Sequence, residues 1–178
     1  MFPLKVRQIG GYTFGQPTFY SNFHLGTDYV ADYNKLYAPF DGEVSTSVGP
    51  QGGKTIQFKP VNQDVVIRFL HLEQFIKVGT VQAGDLIART GNTGASTGPH
   101  LHLDISKHSL DLSNINNFID PEKFNWEGVP MNQAKVIKSK NSPTIYICYP
   151  VPNMDYLHTK ANLEGIVIPT TIPTSDSL

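Results

Sequence analysis

Short runs of β-branched and other apolar residues recur along the chain between glycine- and proline-bearing turn signals, while apolar stripes at helical spacing are scarce. That pattern predicts an all-β domain. Strands are predicted over residues 42–48, 54–59, 64–71, 85–89 and 100–106, with Gly49-Pro50-Gln51-Gly52-Gly53 as the turn between the first two. The run Val65-Val66-Ile67-Arg68-Phe69-Leu70 is too continuously apolar for a half-exposed strand. It suits a mid-sheet strand covered on both faces, and its end would deliver His71 to a sheet edge or loop mouth. Asp120-Pro121-Glu122-Lys123-Phe124-Asn125-Trp126 reads as a closing segment, its single tryptophan able to cover one end of the core.

Beyond Trp126 the pattern changes. Residues 127–142 are polar and linker-like, 144–149 reads as a strand, 154–163 as a short helix with Asn153 as its cap, and 165–168 as a second strand. The tail, 170–178, is rich in Thr, Ser and Pro and is expected to be mobile. The expected organisation is therefore an antiparallel β-sheet or sandwich core over 1–126 and a small mixed α/β extension over 127–178. About 50 residues is marginal for an independent core, so the extension is read as an appendage packing on the core, with attachment to a larger assembly as the functional alternative.

Composition narrows the chemistry. The chain has 178 residues, with 14 Lys and Arg against 15 Asp and Glu, and no basic run, so bulk-charge binding to nucleic acid is not expected. One cysteine, Cys148, excludes an intramolecular disulfide and a cysteine-based metal cluster. No apolar stretch approaches the roughly 18 residues that span a bilayer. Met1-Phe2-Pro3-Leu4-Lys5 lacks the apolar core of a secretory signal, so export by the general route is not expected.

The stretch Gly91-Asn92-Thr93-Gly94-Ala95-Ser96-Thr97-Gly98-Pro99-His100-Leu101-His102 joins a glycine-punctuated loop to two histidines two residues apart. On a strand such residues share a face, a pairing that invites a metal. His24-Leu25-Gly26-Thr27-Asp28 adds a nitrogen and an oxygen ligand four residues apart, and His71 stands in Phe69-Leu70-His71-Leu72. Catalytic zinc sites hold three protein ligands and keep one position open. Five candidates would leave two for proton transfer and oxyanion stabilisation, a division suited to amide hydrolysis. His108 and His158 have no comparable context and read as surface or capping residues.

At these residues the chain resembles the lysostaphin/LytM-type zinc metallopeptidases, which cleave peptide bonds in bacterial peptidoglycan. Their succession of H-x-x-x-D, an aromatic-x-H-L element and G-x-T-G-x-S/T-T-G-P-H-L-H is present in order, and Ala38-Pro39-Phe40-Asp41-Gly42-Glu43-Val44 and Gly79-Thr80-Val81-Gln82-Ala83-Gly84-Asp85 resemble the family's strand entry and turn. The resemblance covers residues 10–126. It implies that His24, Asp28 and His102 bind Zn2+, that His71 and His100 are the catalytic histidines, and that a stem-peptide or cross-bridge bond is hydrolysed by metal-activated water. The loop from Gly91 to Pro99 would form one groove wall, with glycines admitting a substrate backbone and Ser96 and Thr97 as contacts. Ala88 stands where the family often has glycine, and Phe69 where tyrosine is commoner; neither removes a ligand. Tyr12 and Tyr20 are the candidates for a carbonyl-polarising aromatic. Two alternatives are a non-enzymatic wall-binding or hydrolase-activating module on the same fold, and another zinc amide hydrolase acting on D-amino-acid peptides. A wall hydrolase without an export signal would reach its substrate by lysis, by injection or on a bacteriophage virion, where the extension could join it to a tail.

Overall fold

The structure is a computed structural model. It describes residues 1–19, 21–107 and 111–127 and, of the remainder, the strands at 135–138, 145–151 and 154–161. The chain divides into two units, Met1–Trp126 and Glu127–Leu178.

In the first unit the strands are β1 (Gly26–Val30), β2 (Lys35–Tyr37), β3 (Gly42–Gly49), β4 (Gly53–Pro60), β5 (Val66–Leu72), β6 (Gln74–Phe75), β7 (Gly79–Val81), β8 (Leu86–Arg89), β9 (His100–Ser106) and β10 (Phe118–Ile119). A 3-10 turn, Ile115–Asn117, is capped by the Asn114 side chain. The main sheet runs β1-β9-β5-β4-β3-β7 with β10 also on β9, and β2-β8-β6 form a small second sheet; every pairing is antiparallel. The all-β antiparallel core expected from the pattern is what folds. All five predicted strands occur within two residues of their expected ends. Strands β1, β2, β6, β7 and β10 are additions.

The core lies on one face of the main sheet. Tyr29, Ile56, Phe58, Ile67, Phe69, Leu101, Leu103 and Ile105 are fully buried there, each on the inward phase of its strand. Strand β5 is central, as its apolar run predicted, but it is not covered equally on both faces. Ile67 and Phe69 are buried while Val66, Arg68 and Leu70 are only half-buried, because the second face of the sheet carries the polar site. Trp126 closes one end, packing against Phe2, Phe40 and Phe124 with ring centroids 4.9–6.3 Å apart. The N-terminal segment lies along the free edge of β1, where Gly10 and Val30 N–H groups donate to Asp28 and Gln8 carbonyls. That edge is thereby covered.

The second unit contains β11 (Lys135–Lys138), β12 (Ile145–Val151) and β13 (Met154–Ala161), an antiparallel sheet ordered β11-β12-β13. Two expectations are corrected. The segment read as a linker contains a strand, and the helix expected over 154–163 is a strand through Ala161, paired from Met154 opposite Val151 to Ala161 opposite Ile145. The 3–4 spacing of Met154, Leu157 and Ala161 mimics a helical stripe, but pairing with the β-branched run of β12 overrides so weak a preference. Asn153, His108, the 165–168 segment and the tail lie outside the described residues.

Candidate metal centre

The register of three strands assembles the site. Asp28 on β1 is opposite His102 on β9, which is opposite Leu70 on β5; one pleat along, Gly26, Asp104 and Arg68 form the next row. His100, His102 and Asp104 therefore project from the same face of β9. His24 precedes β1 and is fixed by backbone bonds, its N–H to Gln16 O at 2.7 Å and its carbonyl accepting from Gly15 N–H at 2.8 Å.

His71 arrives by a different device. The β4–β5 register passes from Ile56–Phe69 to Lys54–Leu72, so β5 carries one extra residue there. His71 sits in that bulge with φ of 61°, in the left-handed region. A β-bulge re-aims a side chain, and without it His71 would follow Ile67 and Phe69 onto the core face. Holding a non-glycine residue at such a φ costs about 1–3 kcal/mol, which the surrounding bonds must offset. His71 N–H donates to Gly52 O at 2.8 Å and its ring Nδ1 to Thr93 O at 2.8 Å.

All five predicted site residues come together. One ligand atom each from His24, Asp28 and His102 lies within 4.8 Å of the others. Asp28 Oδ1 is 3.4 Å from His24 Nε2, 3.0 Å from His102 Nδ1 and 3.7 Å from His100 Nε2, and Asp28 Oδ2 accepts from the Tyr12 N–H at 3.2 Å. His71 lies beside His100, ring centroids 4.8 Å apart. Of the aromatic candidates, Tyr12 has its ring 5.8 Å from that of His24; Tyr20 is outside the described residues.

Hydrogen bonding assigns the tautomers. His71 Nδ1 faces the Thr93 carbonyl at 2.8 Å and His100 Nδ1 faces the Gly98 carbonyl at 2.8 Å. A carbonyl only accepts, so each neutral ring carries its proton on Nδ1 and leaves Nε2 as a base. His102 is reversed: its Nε2 lies 3.2 Å from the Asp104 carboxylate, which Arg68 grips through Nε and Nη2 at 2.8 and 2.7 Å. Neutral His102 then turns the Nδ1 lone pair towards Asp28 Oδ1, two acceptors 3.0 Å apart. A cation belongs between them, a proton in the metal-free protein or a metal ion. The donor set of two imidazoles and one carboxylate, with Asp28 and His102 buried, suits zinc.

The electrostatics follow. For His102, burial favours the neutral ring, but hydrogen bonds to Asp104 and Asp28 outweigh it and raise the metal-free pKa to about 9. Burial, with the neighbouring His100 and His102, holds His71 down at about 4. Burial and the His102 charge lower His24. Asp28 and Asp104 would be raised by burial, but hydrogen bonds from His102 keep both below the usual carboxylate range, with Arg68 also acting on Asp104.

The glycine loop is corrected in one respect. A Cβ on Gly94 would lie 2.2 Å from Gly53 N, and one on Gly91 would lie 2.7 Å from Glu73 N. These glycines admit the protein's own backbone, Gly94 pinning the loop to the β3–β4 turn and Gly91 packing it on Glu73 after β5, while a Cβ at Gly98 meets nothing within 4 Å. Ser96 Oγ donates to Gly98 O at 2.9 Å and lies 3.2 Å from His100 Nδ1, so it braces the loop beside that histidine. Asp104 and Arg68 were not among the candidates. The alternation that paired His100 with His102 extends to Asp104; Arg68 needed the β5–β9 register.

The model of Peptidase family M23 matches residues 22–116, which contain all five residues. The peptidoglycan DD-endopeptidase ShyC of Vibrio cholerae is 36% identical over 84 residues, 46% of this chain and 19% of that protein. The chain thus spans about a fifth of the length of that relative. The catalytic domain of the antimicrobial peptidase lysostaphin from Staphylococcus simulans superposes with a TM-score of 0.56 at 28% identity, covering 63% of this chain and 87% of that one. A zinc-containing peptidase from Vibrio cholerae gives a TM-score of 0.57 at 28% identity, over 70% and 39% of the two chains. With the family match covering more than half its length, this chain belongs to peptidase family M23.

Proposed function

We propose that the protein is a zinc-dependent endopeptidase that hydrolyses peptide bonds of bacterial peptidoglycan, in a stem peptide or a cross-bridge. The observation that carries this reading is the convergence of two separate sequence motifs on one donor set, within 4.8 Å, with His71 of a third motif beside it, in a chain of an established peptidase family. His24, with Nε2 facing Asp28 Oδ1, Asp28 itself and His102, with Nδ1 facing the same oxygen, would hold the metal. Bound there, zinc supplies Lewis-acid polarisation of a carbonyl and a lowered pKa for water.

The remaining steps fall to the chain's own side chains. His71, neutral at physiological pH because burial depresses it, accepts a proton at Nε2 from the attacking water and returns it to the leaving amine. His100, its Nδ1–H fixed on Gly98 O, presents Nε2 to the same space and, when protonated, stabilises the developing oxyanion. Tyr12, anchored by its N–H on Asp28 Oδ2 and with its ring 5.8 Å from that of His24, is a candidate, with Tyr20, for polarising the scissile carbonyl.

The activating-module alternative describes proteins that have lost these ligands, whereas this chain keeps all five residues. Purified His24→Ala and His100→Ala variants that fold should release no new amino groups from isolated peptidoglycan under conditions where the wild type does. Full activity in either variant would reject the assignment.

A further inference from the structure

We infer that Asp104 and Arg68 form a positioning pair that fixes which nitrogen of His102 faces the metal, and that the zinc affinity of the site depends on it. The inference rests on the zinc reading above and extends it to two residues outside the metal's donor set.

Asp104 has no solvent exposure. A buried carboxylate must be paired, and Arg68 pairs it by the two-pronged geometry that a guanidinium offers a carboxylate, at 2.8 and 2.7 Å. The fork fixes the carboxylate plane and leaves an Oδ2 lone pair aimed at His102 Nε2, 3.2 Å away. Since neither carboxylate oxygen can donate, the proton of neutral His102 is held on Nε2 and the lone pair on Nδ1. The fold reserves space for the arrangement. A Cβ at Gly26, directly opposite Asp104, would lie 2.1 Å from Leu103 O and 2.9 Å from Asp104 Cβ, so a larger residue there would force β1 away from β9 at the row that holds Asp104. A hydrogen-bonded carboxylate behind a ligating imidazole orients the ring and raises its basicity, and losing one typically costs about 10- to 100-fold in metal affinity.

The test is zinc affinity by competition with a chromophoric chelator, on wild type, Asp104→Asn and the double variant Arg68→Met/Asp104→Ala. The double variant removes both charges together, so it leaves no buried unpaired ion and should keep the fold, checked by near-ultraviolet circular dichroism. Weakening of about 10- to 100-fold in the folded variants is expected; affinity within twofold of wild type in the folded double variant overturns the inference. A wild type that takes up no zinc overturns the metal reading and this inference with it, which a zinc-binding wild type with unaffected variants would not do. Should the variants fail to fold, the histidine nitrogen–proton NMR spectrum of the zinc-loaded wild type decides. It is expected to show His102 protonated on Nε2, and protonation on Nδ1 overturns the inference.

Discussion

The Thr93 carbonyl accepts the Nδ1 proton of His71 at 2.8 Å, while the Thr93 hydroxyl donates to Leu72 O at 2.8 Å and accepts from Lys54 N–H at 2.9 Å. One residue thus joins the glycine loop, the β5 bulge and the start of β4, and orients the imidazole we assign as the base. Thr93→Val keeps the shape and removes the hydroxyl. It should cost about 1–3 kcal/mol, the penalty of a buried group left unpaired. Peptidoglycan hydrolysis should fall about 10- to 100-fold, since small misplacements of catalytic groups carry such losses, with zinc content unchanged. Denaturant melts, metal analysis and amino-group release check the three parts; unchanged hydrolysis would separate Thr93 from the positioning of His71.

Zinc uptake should release protons. In the metal-free site His102 titrates at about 9, so at pH 7 it holds a proton that the metal must displace, while His24 is lowered and Asp28 is already ionised. About one proton per zinc is expected at pH 7. Calorimetric titration in buffers of different ionisation enthalpy measures it, and no release would contradict the bridging proton between His102 and Asp28.

The pH dependence of the metal-free fold has a definite sign. Burial depresses His71 from 6.5 to about 4, so between these values the unfolded chain binds a proton that the folded protein resists. Stability from this group is complete above pH 6.5 and is lost as pH falls towards 4, by up to about 3 kcal/mol. Chemical denaturation of wild type and His71→Gln across that window should show the wild type losing more. His102, raised rather than lowered, acts in a separate window: its contribution is present below 6.5 and fades as pH rises towards 9. Parallel curves for the two proteins below pH 6.5 would contradict the His71 assignment.

Gly94 and Gly98 should separate. Gly94 combines φ of 76° with backbone 2.2 Å from a would-be Cβ, so Gly94→Ala should lower stability by about 3 kcal/mol or more through strain and overpacking. Gly98→Ala meets open space and should shift stability by less than about 0.5 kcal/mol. Thermal melts of the two variants check the contrast; equal losses would mean the loop is not pinned through Gly94.

What could be read beforehand followed from periodicity and local chemistry. Alternation along His100-Leu101-His102 placed both imidazoles on one face, and the structure keeps them there. The same alternation carried one pleat further reaches Asp104, a signal present in the sequence. Arg68 was hidden in an apolar run because its meaning depends on register with β9, a long-range pairing that no local pattern encodes. The bulge at His71 is hidden for the same reason: a left-handed φ on a histidine has no composition signature. Strand β1 is short and mixes glycine with aspartate, residues depleted in strands, so it reads as a loop until β9 and the N-terminal segment flank it. In the second unit, Met154–Ala161 shows that a few apolar residues at 3–4 spacing cannot outvote strand pairing.

The most direct test of the central claim is zinc stoichiometry of the purified protein, measured with amino-group release from isolated peptidoglycan before chelation, after chelation and after zinc is restored. About one zinc per chain is expected, with cleavage lost on chelation and restored with zinc. Undiminished cleavage by protein stripped of metal would contradict the claim.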